Sequence, residues 1–388
     1  MTTTLMPGVW AELVGQEHAV QVLRRAVAGD AHAMSHAWLI TGPPGSGRSN
    51  VARAFAAALQ CERGGCGECK ACRTALSGAH PDVTLVRTEK LSIGVDEVRD
   101  LVRRAAMSPT LGRYQVLVVE DADRVTDRGG DALLKSVEEP AVKTVWLLCA
   151  PTADDVVTTI RSRCRSLRLA TPRVDAVAQL LSDRDGVDPA MAAHAARAAQ
   201  GHIGRARKLA RDPDARNRRH KILQIPAQLT NLGACLAIAQ KLVDDCAAEA
   251  KAATEDLDAR ERAELSEALG YGTKGARPKQ AASALKDLED EQKTRAKRFQ
   301  RDALDRALTE LTTYYRDVVV LQLTEQEERL VNPEFAEVLW RTARSTTSEV
   351  SLRRISALLD CREALETNVA PLLAVEAMLI SLVEASRV

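Results

Sequence analysis

The stretch Gly42-Pro43-Pro44-Gly45-Ser46-Gly47-Arg48-Ser49 constrains this 388-residue chain most. An apolar run at residues 37–40 precedes it and a helical pattern at residues 50–59 follows. Strand, glycine-rich turn and helix together form the setting of a phosphate-binding loop. Glycines let backbone N–H groups curl around phosphate oxygens, and the helix N-terminus adds its positive end. The spacing fits G-x-x-x-x-G-K-[ST] at every position but one, where Arg48 replaces lysine. Ser49 remains where a Mg²⁺ ligand belongs. Lysine is a compact point charge and arginine a longer planar fork, so the exchange is not conservative at such a site.

A second apolar run, residues 115–119, ends in Glu120-Asp121. In nucleotide hydrolases a carboxylate at such a strand end holds Mg²⁺ and its neighbour polarises the attacking water. The usual order is Asp then Glu; here it is inverted, which displaces each carboxylate by about one methylene, enough to spoil alignment. The bland alternative is that both acids cap a strand-to-loop junction.

Further strands are expected at residues 83–86, 144–149 and 167–169, with helices at 17–28, 95–104 and 131–139. Strands alternating with helices from 37 to 169 predict a parallel sheet covered on both faces. Arg99, Arg103 and Arg104 lie on the outer face of the 95–104 helix, either as solvated charges or as contacts to a phosphate backbone. Beyond Pro172 three short helices are expected at 174–181, 189–199 and 204–210, and Asp212-Pro213-Asp214 reads as a linker. From Ala215 onward only helical signals remain. Two long stretches, 231–269 and 280–323, flank a glycine-containing turn at 270–278. Their charged segment near 245–305 reads as an exposed antiparallel arm laced by i,i+4 charge pairs. A helix is expected from Asn332-Pro333, and a last pair at 349–368 and 369–383.

Four of the nine cysteines fall in twelve residues, Cys61-x4-Cys66-x2-Cys69-x2-Cys72. Such a set closes tetrahedrally on one zinc ion, and a full thiolate shell leaves no open position for catalysis. Zinc would then staple a loop-rich excursion that lacks its own core. The alternatives are reduced surface thiols, with His80 as a spare ligand, or a redox C-x2-C pair. Odd count and clustering fit a reducing compartment better than a disulfide framework. Net charge is +1, aromatics are 3% of the chain, and no run of eighteen apolar residues or signal peptide is present. The expectation is a cytoplasmic protein with no membrane association, whose contacts with nucleic acid come from local patches or partners.

These features together resemble a bacterial clamp-loader subunit of the AAA+ class. The residues that carry the likeness are Leu13-Val14-Gly15-Gln16, Ser35-His36-Ala37-Trp38-Leu39, the phosphate loop and the four cysteines. Ala132-Leu133-Leu134-Lys135, Glu138-Glu139-Pro140 and Ser162-Arg163-Cys164 complete the set. A weaker match ends the chain: Asn368, Leu373, Glu376, Leu379 and Leu382. The resemblance implies an α/β AAA+ parallel sheet with an inserted zinc module (about 61–72) over residues 1–172. A helical lid domain at 173–214 and an all-helical collar at 215–388 would follow. It further implies a pentamer with delta and tau/gamma ATPase subunits that places the sliding clamp (beta) on primer-template DNA for the DNA polymerase III holoenzyme.

Within that class the departures favour a subunit without intrinsic ATPase activity. Arg48 replaces lysine, Glu120-Asp121 is inverted, Ala150-Pro151 stand where motor subunits place a polar sensing residue, and Gly204 stands at the position expected for the lid arginine after Gly201, with Arg205 adjacent. Ser162-Arg163-Cys164 is intact, which implies that Arg163 acts in trans on ATP and Mg²⁺ bound by a neighbour. An arginine so placed stabilises charge in phosphoryl transfer by ~10³–10⁵ in rate. A salt bridge at a strand start is the plainer role for Arg163, and a structural or DNA-facing role suits Arg161 and Arg165. Because Ser49 is kept, the loop's own nucleotide binding stays open. The alternatives are an active tau/gamma-type ATPase and, more weakly, a stand-alone zinc-dependent DNA binder.

Overall fold

The computed structural model describes residues 7–30, 32–88, 92–268, 279–367 and 369–384. The chain divides into two compact units, Met1–Asp212 and Pro213–Val388. The 173–212 segment clusters with the first unit.

The first unit is built on five strands: β1 (Ala37–Thr41), β2 (Val83–Val86), β3 (Gln115–Val119), β4 (Thr144–Ala150) and β5 (Arg165–Arg168). All pair in parallel, in the order β2-β3-β4-β1-β5. A covered parallel sheet asks for continuous apolar strands rather than alternating ones, and β1, β3 and β4 are buried along their whole length. The parallel α/β sheet expected of an AAA+ domain is therefore present. Its helices are α1 (Glu17–Ala28), α2 (Arg48–Gln60), α3 (Lys70–Ser77), α4 (Val95–Ala105), α5 (Asp127–Glu138) and α6 (Thr158–Arg161). Three more follow, α7 (Val174–Asp183), α8 (Pro189–Ala198) and α9 (Ile203–Arg211).

Two local expectations are corrected. Helix α5 begins at Asp127, not 131, because Thr126 caps it by accepting from the Gly129 N–H at 3.2 Å. Gly129 and Gly130 look like a helix break but lie inside the helix. A Cβ at Gly130 would press on Val157 and one at Gly129 on Val125 and Val98. The cysteine-rich excursion is also not all loop, since α3 runs through it with Cys69 as its N-cap.

In the second unit, α10 (Pro213–Gln228) starts at the proline that had read as part of a linker. Proline's fixed φ suits a helix's first turn, where its missing N–H costs nothing. Helices α11 (Leu232–Ala268) and α12 (Lys279–Thr324) form the antiparallel pair. Then come α13 (Ala336–Ser345), α14 (Ser348–Glu366) and α15 (Pro371–Glu384). The expected turn at 270–278 and Asn368 lie outside the described residues.

The α11–α12 seam changes character along its length. Near the core it is apolar, with Cys246, Ala250 and Ala303 buried. Further out it is polar: Arg295 is 6% exposed and reaches Asp258 at 2.9 Å and Glu261 at 2.7 Å. Gln292 donates to the Asp258 carbonyl at 3.0 Å and accepts from Arg262 at 2.8 Å. The charges thus include buried cross-helix bonds, beyond the surface i,i+4 pairs expected. Deeper in the unit, buried Arg219 bonds Glu310, Glu334 and Asn332 and ties α10 to α12 and the chain before α13.

Candidate functional site

The C-terminal ends of β1, β3 and β4 carry the phosphate loop, Glu120-Asp121 and Ala150-Pro151, the edge where open parallel sheets place their ligands. Gly45 and Gly47 adopt φ of 86° and 87°, a left-handed conformation open to glycine at little cost. Gly47 precedes α2, whose first turn carries no side-chain cap, so the helix end is free to face the loop.

Several elements close on this loop from within the first unit. Arg48 donates to the carbonyl of Gly42, the loop's own first residue. The Gly42 N–H donates to the Pro151 carbonyl at 3.1 Å. Gln16 donates to the carbonyls of Ser46 (3.1 Å) and Ala170 (2.7 Å) and accepts from the Ala170 N–H, which links the loop to the chain leading to α7. His202, the N-cap of α9, accepts from the Arg205 N–H at 3.2 Å and lies against Gly45, where a Cβ would run into its ring. Burial, with Arg205 and Arg48 nearby, pulls the His202 pKa below its ordinary value and keeps the ring neutral. Among the described residues the buried Ser46 hydroxyl has no hydrogen-bond partner.

The acidic pair is also engaged. Arg53, one turn and a half along α2, meets Glu120 with its Nε at 2.8 Å and Nη2 at 2.7 Å, and the Glu120 side chain is only 8% exposed. Asp121 lies 4.0 Å from the Arg124 Nε. Burial, with Asp121 beside it, raises the Asp123 carboxyl above the usual carboxylate range. Burial also pushes the Cys149 thiol up to about 12, with Glu120 adding to the effect. The expected acids thus gather at one strand end, joined by Asp123, but Glu120 is neutralised by its own chain.

Arg163 lies about 120 residues of chain beyond the loop, in the turn between α6 and β5. Its Nε pairs with Glu138, and its Nη1 donates to the Thr159 carbonyl at 2.8 Å and to Ser162 Oγ at 3.1 Å. The plain salt bridge considered from sequence therefore exists in the isolated chain. Arg161 pairs with Asp154. Arg165 donates to the carbonyls of His32 and Ala33 and stacks over Trp38, a structural use. Arg99 and Arg103 are exposed and paired with Asp96 and Asp100.

The four cysteine sulfurs all lie within 4.8 Å of one another. Cys61 and Cys66 are 3.7 Å apart, and Cys61 and Cys69 3.8 Å. A tetrahedron of thiolates about 2.3 Å from zinc has edges of about 3.8 Å, so the donor set fits that ion. All four are free of disulfides. Burial works to raise the Cys61 pKa, but the N–H groups of Cys66, Gly65 and Arg63 outweigh it and bring it to about 6. His80 is not a fifth donor: its Nδ1 accepts from the Asp82 N–H at 3.1 Å.

Sequence reading missed Gln16's bridging role, Arg53, His202 and Asp123. Arg53 left a trace, being the only cation in the alanine-rich stretch 50–60. The partners of Gln16 and Glu120 are 154 and 67 residues away and left none.

With this geometry in view, residues 15–173 match the family described as DNA polymerase III, delta subunit. The DNA polymerase III subunit delta' of Pseudomonas aeruginosa is 40% identical over 152 residues, 38% of this chain and 46% of that one. The gamma/tau subunit of Mycobacterium tuberculosis is 37% identical over 189 residues, 47% of this chain and 32% of that one. A DNA polymerase III gamma subunit-related protein from Thermotoga maritima covers 95% of this chain and 100% of its own at 16% identity, with a loose TM-score of 0.39. The chain spans less than half the length of the curated relatives named here. Over the matched segment it is similar to clamp-loader subunits of DNA polymerase III. Among those it resembles the delta-prime type.

Proposed function

We propose that this chain is the non-hydrolysing stator of a clamp-loader ring. It lends Arg163 to the ATP site of an adjacent motor subunit of the gamma/tau type. The ring would open a sliding clamp and set it on primed DNA, and the helices beyond residue 213 would form this chain's share of the collar. The observation that carries the reading is Arg48, whose guanidinium is turned back onto the Gly42 carbonyl rather than left for a phosphate. The Arg53–Glu120 pair supports it, because a metal-binding carboxylate neutralised by a local cation is a poor Mg²⁺ ligand. Zinc at Cys61, Cys66, Cys69 and Cys72 has a structural role.

A motor role has two points in its favour: Ser49 is kept, and the gamma/tau relative matches over the longer segment. Two measurements separate the readings. ATP turnover by the purified chain is expected to be negligible, and Arg163→Ala is expected to slow the one ATP site it completes by ~10³-fold or more, seen in the reconstituted complex as loss of that site's share of turnover. Brisk turnover by the chain alone, lost in Arg48→Ala, would establish the motor role instead.

A further inference from the structure

The residues around Arg163 raise a question that the stator reading leaves open: what holds a long, 39%-exposed side chain where a neighbouring subunit can use it. Both ends of its short turn are fixed by backbone bonds, Arg163 N–H to Ile160 (3.0 Å) and Cys164 N–H to Arg161 (3.3 Å). Ile160, which accepts the first of these bonds, is buried. The side chain itself is held along one edge. Nε goes to the Glu138 carboxylate and Nη1 to the Thr159 carbonyl and Ser162 hydroxyl. Among the described residues Nη2 has no partner, so it is the group left to project.

Glu138 is the last residue of α5. A carboxylate there opposes the helix dipole, which favours cations at that end. The pair is also solvent-accessible, and exposed pairs contribute little to stability. Neither helix formation nor folding explains an acid at this position, whereas the orientation of Arg163 does.

We propose that Glu138 is a positioning residue for Arg163. By accepting from Nε it fixes the plane of the guanidinium and turns Nη2 toward the phosphate of the neighbour. This rests on the in-trans role of Arg163 proposed above. Position, not charge, is what Glu138 supplies. An amide oxygen in the same place can accept the same hydrogen bond, while a methyl group cannot.

The test uses the reconstituted complex with its ATPase neighbours, saturated with clamp and primed DNA, and measures kcat and KM for ATP. Glu138→Gln is expected to stay within about threefold of wild type. Glu138→Ala is expected to slow the one site that Arg163 completes by about 10–100-fold, the scale for a misplaced catalytic group, so that kcat of the complex falls nearly as far as in Arg163→Ala with KM unchanged. Complex assembly is checked by size-exclusion chromatography. If the alanine variant does not assemble, Glu138→Asp, one methylene too short to reach Nε, takes its place with the same expectation. Wild-type kcat in the alanine or aspartate variant overturns the proposal. So do equal losses in the alanine and glutamine variants, and so does a rise in both, which would mean that Glu138 sequesters the arginine. Arg163→Ala run alongside separates the two levels. If it leaves turnover unchanged, the stator reading itself fails. If it lowers turnover while Glu138→Ala does not, only the positioning role fails.

Discussion

Asp82 offers a quantitative check on how the base of the first unit is held. Its buried carboxylate accepts three backbone N–H groups, from Thr110 at 2.6 Å, Leu111 at 2.8 Å and Gly112 at 2.5 Å. These bonds pin the chain between α4 and β3 against the start of β2, beside Gln60, which accepts from Arg113 and Tyr114. Burial works against the charge, but the three donors dominate and lower the Asp82 pKa below 3.8. Hydrogen bonds to a charged group are worth about 1.5–3 kcal/mol each. Leu111 is exposed, so donors in this loop recover water when released, and about 1 kcal/mol apiece is the better figure. Asp82→Ala should then cost about 3 kcal/mol, a fall of about 6–12 °C in the melting of this unit, and Asp82→Asn about two-thirds of that. Trp10, Trp38 and Trp146 are buried in this unit and report its melting by fluorescence. A carboxylate with a depressed folded pKa stabilises above its unfolded pKa and loses that contribution as pH falls through the folded value. The gap between wild type and variant should hold from pH 7 to about 5 and close below about 4. A gap under 2 °C at pH 7, or one that persists undiminished at pH 3, would refute the reasoning.

Metal analysis of freshly purified chain should give about one zinc per chain, and Cys69→Ser should lose it and melt lower; wild-type stability at under half an ion per chain would count against a structural zinc. His202, with its pKa depressed below 6.5 by burial, should make stability fall as pH drops from about 6.5, because the unfolded chain takes up the proton first. His202→Asn keeps an N-cap acceptor and should flatten that slope in a series of melts from pH 7.5 to 5; an unchanged slope rules His202 out. Arg295→Ala leaves Asp258 and Glu261, neighbours on α11, without the α12 cation that pairs them and should cost about 2–4 kcal/mol locally. Hydrogen exchange should speed up in the outer arm while the α14–α15 core is unaffected, and uniform protection throughout would show the network to be dispensable.

The sheet was legible because β1, β3 and β4 are short apolar runs between helical periods, and burial on both faces demands that composition; the edge strand β5, Arg165–Arg168, is partly exposed and starts two residues before the 167–169 expected. The cysteine cluster was legible because its donors are close in sequence. Helix α5 began earlier than expected because two glycines that pack against neighbouring side chains look the same in sequence as two that break a helix. Pro213 misled in the same way, being as suited to a helix's first turn as to a linker. The engagement of the phosphate loop lay beyond reach: Gln16, Arg53 and His202 are ordinary residues whose partners only folding supplies. Glu138 was visible as part of Glu138-Glu139-Pro140, but nothing along the chain says that it meets Arg163.

The strand order has a consequence for biosynthesis. Strand β1, the first made, is flanked in the sheet by β4 and β5, the last two made. Residues 37–41 must therefore leave the ribosome and wait for about a hundred more before either neighbour exists. At roughly 5–20 residues per second this interval lasts on the order of 5–20 s. Throughout it a largely apolar strand has both edges open, so the nascent chain carries its greatest hazard of misassociation before residue 144 emerges, and a chaperone that shields residues 37–41 would matter most in that window.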